Sequence, residues 1–456
     1  MSIVKKIRQY VISDIDRIEI LRGATSAFIL KVAGMGFGYL FNLMLARMFG
    51  AGILGLYGLT LTLFSISHLV AKFGTPTSSI KFISKAASQG GQNEIRATYA
   101  HILKLVLPLS IGVGVLLYMA APHAAALFEA SDMNMATRWV AVAVPLGAIV
   151  GVNQGCLRGL KKIRASVLHQ SLLPPVLNLV GISVFLTAGW QGPLIPIYAL
   201  VAAYGIMAIS STTTWYRLVG QVNQGNISEE SRSQVPKVKE IAAVSWPLLI
   251  TAAMHLVMGW ADEFILGIFG NTDDVGVYRI AYKISLVTGF ALQAVNSITA
   301  PKISEFYSRG DSTRLNDLVN SSSNLIFWAS TPILVVIVSF PEYILSFFGP
   351  EFARATFALI VLCSGQFLAA ACGPVGYMLT MTGYERVFQL IIIGGAVMNI
   401  ALNTILIPLY GVSGAAIATA VSLVLWNLVA SLVTNRIFGY WVGYVPSFLR
   451  ESSTEN

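Results

Sequence analysis

Charge is scarce in this chain. Only 11% of its 456 residues are Asp, Glu, Lys or Arg, while 55% are apolar; a soluble protein carries roughly a quarter charged residues. The shortage excludes a soluble globular protein of this length. Cysteine is nearly missing too. Cys156, Cys363 and Cys372 lie in or beside apolar runs and match neither a disulfide framework nor a metal site, so they are read as small packing residues. There is no Gly-rich phosphate loop, no nucleotide-binding domain and no long hydrophilic external loop, which argues against a membrane enzyme; no catalytic residue, metal ligand or cofactor site is expected. The N-terminal stretch lacks the compact apolar core and small-residue cleavage site of a signal peptide. Lys5, Lys6, Arg8, Asp14, Asp16 and Arg17 are mixed there with apolar residues, which predicts a helix lying on the membrane surface.

The chain is instead rich in apolar runs of about 20 residues, the length that crosses hydrocarbon as a helix. Twelve are counted: 24–47, 53–74, 98–120, 137–157, 166–188, 194–216, 241–268, 275–299, 320–340, 355–380, 387–407 and 412–436. The net charge of +9 does not point to nucleic acid, because of where it sits. With the loops assigned alternately, one side holds 22 of the 30 basic residues, among them Lys81, Lys85, Lys161, Lys162, Lys237 and Lys239. Clear loops of the other side hold only Arg138 and Arg354. This asymmetry puts both termini in the cytoplasm.

The longest hydrophilic stretch, 217–240, falls after six runs and divides the chain into equal halves that echo one another. Phe49-Gly50 followed by Gly55-Leu56-Tyr57 returns as Phe269-Gly270 followed by Gly276-Val277-Tyr278. Thr75-Pro76 returns as Ala300-Pro301, and an Asn-containing run closes each series, with Asn178 in one half and Asn399 and Asn403 in the other. The expected fold is an all-α polytopic membrane protein of about twelve transmembrane helices in two pseudo-symmetric six-helix halves around a central cavity. Its segments are a cytoplasmic amphipathic stretch (1–22), a first lobe (23–216), a cytoplasmic linker (217–240), a second lobe (241–437) and a cytoplasmic tail (438–456).

Ions within the runs are the candidates for function, since an ion in hydrocarbon costs several kcal/mol unless paired or hydrated. Asp262 and Glu263 lie in the seventh run, Arg279 and Lys283 in the eighth. At about 1.5 Å per helical residue, Asp262 and Lys283 are both about 10 Å from the turn between the runs, and are expected to pair. Arg279 and Lys283, four apart, share a helix face. Lys31 lies seven residues inside the first run, a long reach for snorkelling. Arg47, Lys72 and Lys104 are read as interface anchors, His68 and His255 as packing groups rather than proton relays. Pro145, Pro247 and Pro374 interrupt runs and remove a backbone hydrogen bond each.

Two six-run halves, the Phe-Gly…Gly-x-Tyr pattern and Asp262-x-x-x-Leu266-Gly267 resemble the polysaccharide-transporter family. This is the O-antigen, or lipid-linked oligosaccharide, flippase branch of the multidrug and oligosaccharidyl-lipid exporter superfamily. The resemblance covers about 20–437. It implies alternating access in a bacterial cytoplasmic membrane and a cargo of undecaprenyl-diphosphate-linked oligosaccharide passed from the inner to the outer leaflet. Membrane lipids, a polysaccharide polymerase and glycosyltransferases are the implied partners; nucleic acid is not. Such a cargo needs cations for its diphosphate and polar groups for its sugars. Lys31, Arg279, Lys283, Asn153, Gln154, Gln293 and Asn296 are the expected binding residues, with Trp246, Trp260 and Tyr282 as stacking faces. Asp262, Glu263 and Lys283 form the ion-coupling or charge-pair set. A multidrug antiporter of the same superfamily would need an acidic cavity, whereas the runs here hold six basic and two acidic residues. An O-antigen polymerase-type enzyme is the other alternative.

Overall fold

The computed structural model describes residues 2–89, 91–222 and 235–444; the side chains of 2–25, 89, 255 and 258 are outside that description. The amphipathic character expected of 1–22, most of the linker centre (223–234), the end of the tail (445–456) and the His255 side chain therefore lie outside the described residues. Within them every regular element is a helix, as hydrocarbon demands of a chain that must satisfy its own backbone.

The helices are α1 (Ser2–Lys72), α2 (Thr75–Gln89), α3 (Gln92–Leu127), α4 (Ser131–Gly159), α5 (Ile163–Val167), α6 (Leu173–Thr187), α7 (Ile195–Gly220), α8 (Val238–Phe269), α9 (Thr272–Thr288), α10 (Phe290–Ser308), α11 (Ser312–Ser339), α12 (Pro341–Ser346), α13 (Thr356–Ala371), α14 (Val375–Met381) and α15 (Glu385–Phe438). A π-helical turn, Leu168–Leu172, joins α5 to α6, and a 3₁₀ turn, Pro350–Ala355, precedes α13. Among the described residues eight helices are long and apolar enough to cross a membrane, or ten when two bent pairs are included. Two of these each carry two of the predicted runs, broken where a glycine takes a positive φ: Gly50 (75°) in α1 and Gly411 (53°) in α15. The twelve runs are consistent with this layout.

Three runs read as single spans are bent or broken. The run 241–268 bends by 58° between Val238–Met254 and Gly259–Phe269. The run 275–299 bends by 46° between α9 and α10 at Gly289. The run 355–380 stops at Cys372, because Gly373 is left-handed (φ 74°) and Pro374 has no amide proton to continue the ladder. The C-terminal segment occupies that break. Tyr444 donates its backbone N–H to the Ala371 carbonyl at 2.8 Å, the Ser323 hydroxyl donates to the Val442 carbonyl, and the Tyr444 ring stacks on Phe327 at 3.8 Å.

The chain forms two compact units. One comprises residues up to Leu45 with Thr60–Ala253; the other comprises Ala46–Leu59 with Met254 onward. In the first, α4 packs on α3, α7 and α2; Ser78 and Ser245 share a hydrogen bond of 2.7 Å. In the second, α13 packs against α9, α11 and α15. The echoed Gly-x-Tyr motifs meet inside this second unit. A Cβ on Gly55 would overlap the Thr272 carbonyl, and one on Gly276 would overlap the Ala51 carbonyl. Two bare backbones thus cross where the repeat places its glycines, and the tyrosines beside them, Tyr57 and Tyr278, are carried into the buried interior.

Candidate functional site

The turn between α8 and α9 sets the register of the site. Asn271 caps α9 by accepting the Asp274 N–H at 2.8 Å, and Asp273 and Asp274 occupy the first turn, where the helix dipole favours anions. So tight a connection lays the helices antiparallel and brings residues sixteen apart together. Asp262 meets Tyr278, and Glu263 meets Arg279.

These two rungs differ in chemistry. Asp262 is held by neutral donors: Tyr278 Oη at 2.8 Å and Thr419 Oγ1 at 2.6 Å on Oδ2, and Asn403 Nδ2 at 2.5 Å on Oδ1. Asn403 also donates to Asn399 at 3.1 Å, and Asn399 donates to Ser422 at 3.1 Å. All are buried, and Asn403 Oδ1 has no partner. A carboxylate among hydroxyl and amide oxygens is a setting that takes up a proton or a hard cation. Among the described residues no group of three or more His, Cys, Asp or Glu could hold a metal ion.

Glu263 Oε2 accepts from Arg279 Nη1 at 2.5 Å, with both residues only 4% exposed. The guanidinium carbon lies 5.7 Å from the centre of the Trp260 ring and 5.9 Å from that of Tyr57, within cation–π range. Gly58 leaves the space this pair fills, since a Cβ there would stand 3.3 Å from Arg279 Cδ and 3.2 Å from Glu263 Oε2.

The remaining candidates divide by unit. Lys283 is half-buried one turn beyond Arg279 on α9, where Tyr282 stacks on Tyr278 at 6.1 Å. On α10 Gln293 is exposed and Asn296 is buried, its Oδ1 without a partner. In the first unit Lys31 is exposed on α1. Asn153 is fully committed to neighbouring helices: it accepts from Tyr99 at 2.7 Å and donates to Ser211 at 2.9 Å and Thr212 at 3.0 Å. Gln154 is half-buried, and its carbonyl accepts from Ser166 at 3.0 Å. Trp246 packs 5.9 Å from Phe73, and His68 stacks on Phe64 at 5.0 Å with Nε2 unpartnered.

Depth alone matched Asp262 with Lys283. Asp262 is held instead by three neutral donors, and the ion pair forms one residue along, at Glu263 and Arg279. Tyr278, Asn403 and Thr419 carry no charge, so the pattern of intramembrane ions does not reveal them as ligands of Asp262. The first two had a signal, since they belong to the repeated Gly-x-Tyr and Asn positions; Thr419 had none.

Comparison with known proteins agrees with this architecture. The model of the polysaccharide biosynthesis protein family matches residues 20–306, and that of the MatE family matches 247–405. A probable low-salt glycan biosynthesis flippase of Haloferax volcanii, Agl15, is 24% identical over 411 residues, covering 89% of this chain and 81% of the relative. Among solved structures, the lipid II flippase MurJ in an inward closed conformation superposes with a TM-score of 0.73 at 13% identity, over 91% of this chain and 87% of that one. An inward-facing multidrug resistance MATE family transporter of the MOP superfamily gives 0.70 at 16% identity, over 91% and 98%. The shared fold is that of MOP-superfamily transporters.

Proposed function

The chain belongs to the polysaccharide biosynthesis protein family, and from that premise we propose that it is a flippase of lipid-linked glycan. The cargo is an oligosaccharide on undecaprenyl diphosphate, moved from the inner to the outer leaflet of the bacterial cytoplasmic membrane by alternating access. Both termini are cytoplasmic, and the lobes 23–216 and 241–437 flank the 217–240 linker. A polymerase and glycosyltransferases act on the same pathway, and the chain itself transports rather than catalyses.

The observation that carries this reading is a guanidinium, Arg279, buried in an apolar helix pair of a chain from this family. An anionic headgroup needs such a partner away from water. Lys283 and Lys31 supply further positive charge, and Gln293, Asn296 and Gln154 supply polar groups for sugar hydroxyls, whereas Asn153 is taken up by Tyr99, Ser211 and Thr212. Asp262, amid oxygen ligands, takes the coupling cation or proton. The MATE likeness favours a second reading, drug export, but the excess of basic groups within the runs suits an anionic cargo better than a cationic drug.

The test is export of lipid-linked glycan in cells that depend on this protein, read by lectin labelling of the outer leaflet. Wild type restores labelling; Lys31→Ala abolishes it at normal membrane abundance, and Lys31→Arg keeps part of it. Labelling unchanged in cells lacking the protein would overturn the assignment.

A further inference from the structure

Glu263 and Arg279 are an unequal pair. Arg279 presents five N–H donors in a planar fork, yet Glu263 meets it through one contact, Nη1 on Oε2, and the buried Nε has no partner. An oxyanion with several oxygens matches such a fork better than a single carboxylate oxygen does. The cage around the guanidinium is otherwise built for it: Trp260 and Tyr57 face it, and Gly58 leaves its room. Glu263, in contrast to Asp262 with its three neutral donors, has Arg279 as its ion-pair partner.

We infer that Glu263 is a built-in stand-in for the cargo's anionic group. It occupies Arg279 in the unloaded protein and gives way when a diphosphate arrives. The inference rests on the reading of Arg279 as the cargo's anion site. Its physical basis is that a buried guanidinium left without a counter-ion is strongly destabilised, so an empty carrier returning for its next cargo needs an anion of its own. The same contact sets specificity. A diphosphate offers more oxygens and more charge than a monophosphate, and so displaces the carboxylate more readily. Lys283, one turn further along the face of α9, keeps a cation close to the released carboxylate.

The experiment measures binding of geranyl diphosphate and geranyl monophosphate to the purified full-length protein in detergent. Glu263→Gln is expected to tighten diphosphate binding at least tenfold and to narrow the preference for diphosphate over monophosphate. Glu263→Asp, which draws the carboxylate back by one methylene, shifts both in the same direction but less, and carries the test if the glutamine variant does not accumulate folded. Arg279→Met made together with Glu263→Gln, so that no buried carboxylate is stranded, abolishes binding. If this double variant loses binding while both Glu263 variants bind as wild type or more weakly, the stand-in role is overturned and Arg279 remains the anion site. If the double variant binds as well as wild type, the reading of Arg279 itself falls.

Discussion

The two units bury similar polar networks of different charge. In the first, Tyr99 donates to Asn153 at 2.7 Å, and Asn153 donates in turn to two hydroxyls on α7. In the second, Tyr278 donates to Asp262 at 2.8 Å, with Thr419 and Asn403 completing the shell. A neutral amide both gives and accepts, so the Asn153 network closes on itself and holds helices together. A carboxylate only accepts, so the Asp262 network changes character when a proton or cation is added. Beside it lies the Glu263–Arg279 pair, whereas Asn153 is bonded to hydroxyls alone. Helix packing explains the first network completely; the second contains ions that packing does not require.

The sharpest way to break this contrast is at Arg279. Arg279→Met strands a buried Glu263, which costs about 3–5 kcal/mol, so membrane abundance and glycan export should both collapse. Glu263→Gln combined with Arg279→Met should recover abundance and leave export absent. Recovery of export by the double variant would reduce the pair to packing.

Exchanging the two network centres comes next. Asp262→Asn makes the second network as neutral as the first and should cut export at least tenfold at near-normal abundance. Asn153→Asp buries a carboxylate among hydroxyls and should lower abundance, measured by quantitative blotting of membranes. Unchanged export by Asp262→Asn would erase the distinction between the units.

A smaller effect is expected at Asn153→Leu, which leaves the Tyr99 hydroxyl without its acceptor. It should lower the thermal unfolding temperature by the equivalent of about 1–3 kcal/mol, with export per molecule unchanged. Loss of export at normal stability would return Asn153 to the sugar-binding set. The smallest effect is expected at Gln293, exposed on α10: Gln293→Ala should lower export by roughly twofold, as the loss of one net hydrogen bond of about 0.5 kcal/mol would.

That the chain folds into apolar helices was legible in the apolar runs, because a backbone in hydrocarbon has to bond to itself; where those helices join or break was not. The family was legible in the repeat, and the glycines of that repeat, Gly55 and Gly276, proved to be the points where two backbones cross. The break at Gly373 and Pro374 was less legible. Its residues stand in the sequence, but the C-terminal segment that fills it comes from 73 residues away, through Tyr444 N–H on the Ala371 carbonyl.

By itself, then, the sequence determined that the chain is a bundle of apolar helices with four ions at similar depth in α8 and α9. Counting along a helix measures depth well, since each residue advances about 1.5 Å, but each also turns about 100°, so small differences in helix rotation decide which side chains face each other. Only the tertiary structure decided that Glu263 takes Arg279 and that Asp262 takes Tyr278, Asn403 and Thr419. It likewise decided that Ala46–Leu59 packs with the second unit, because that depends on which backbones can approach across bare glycine faces.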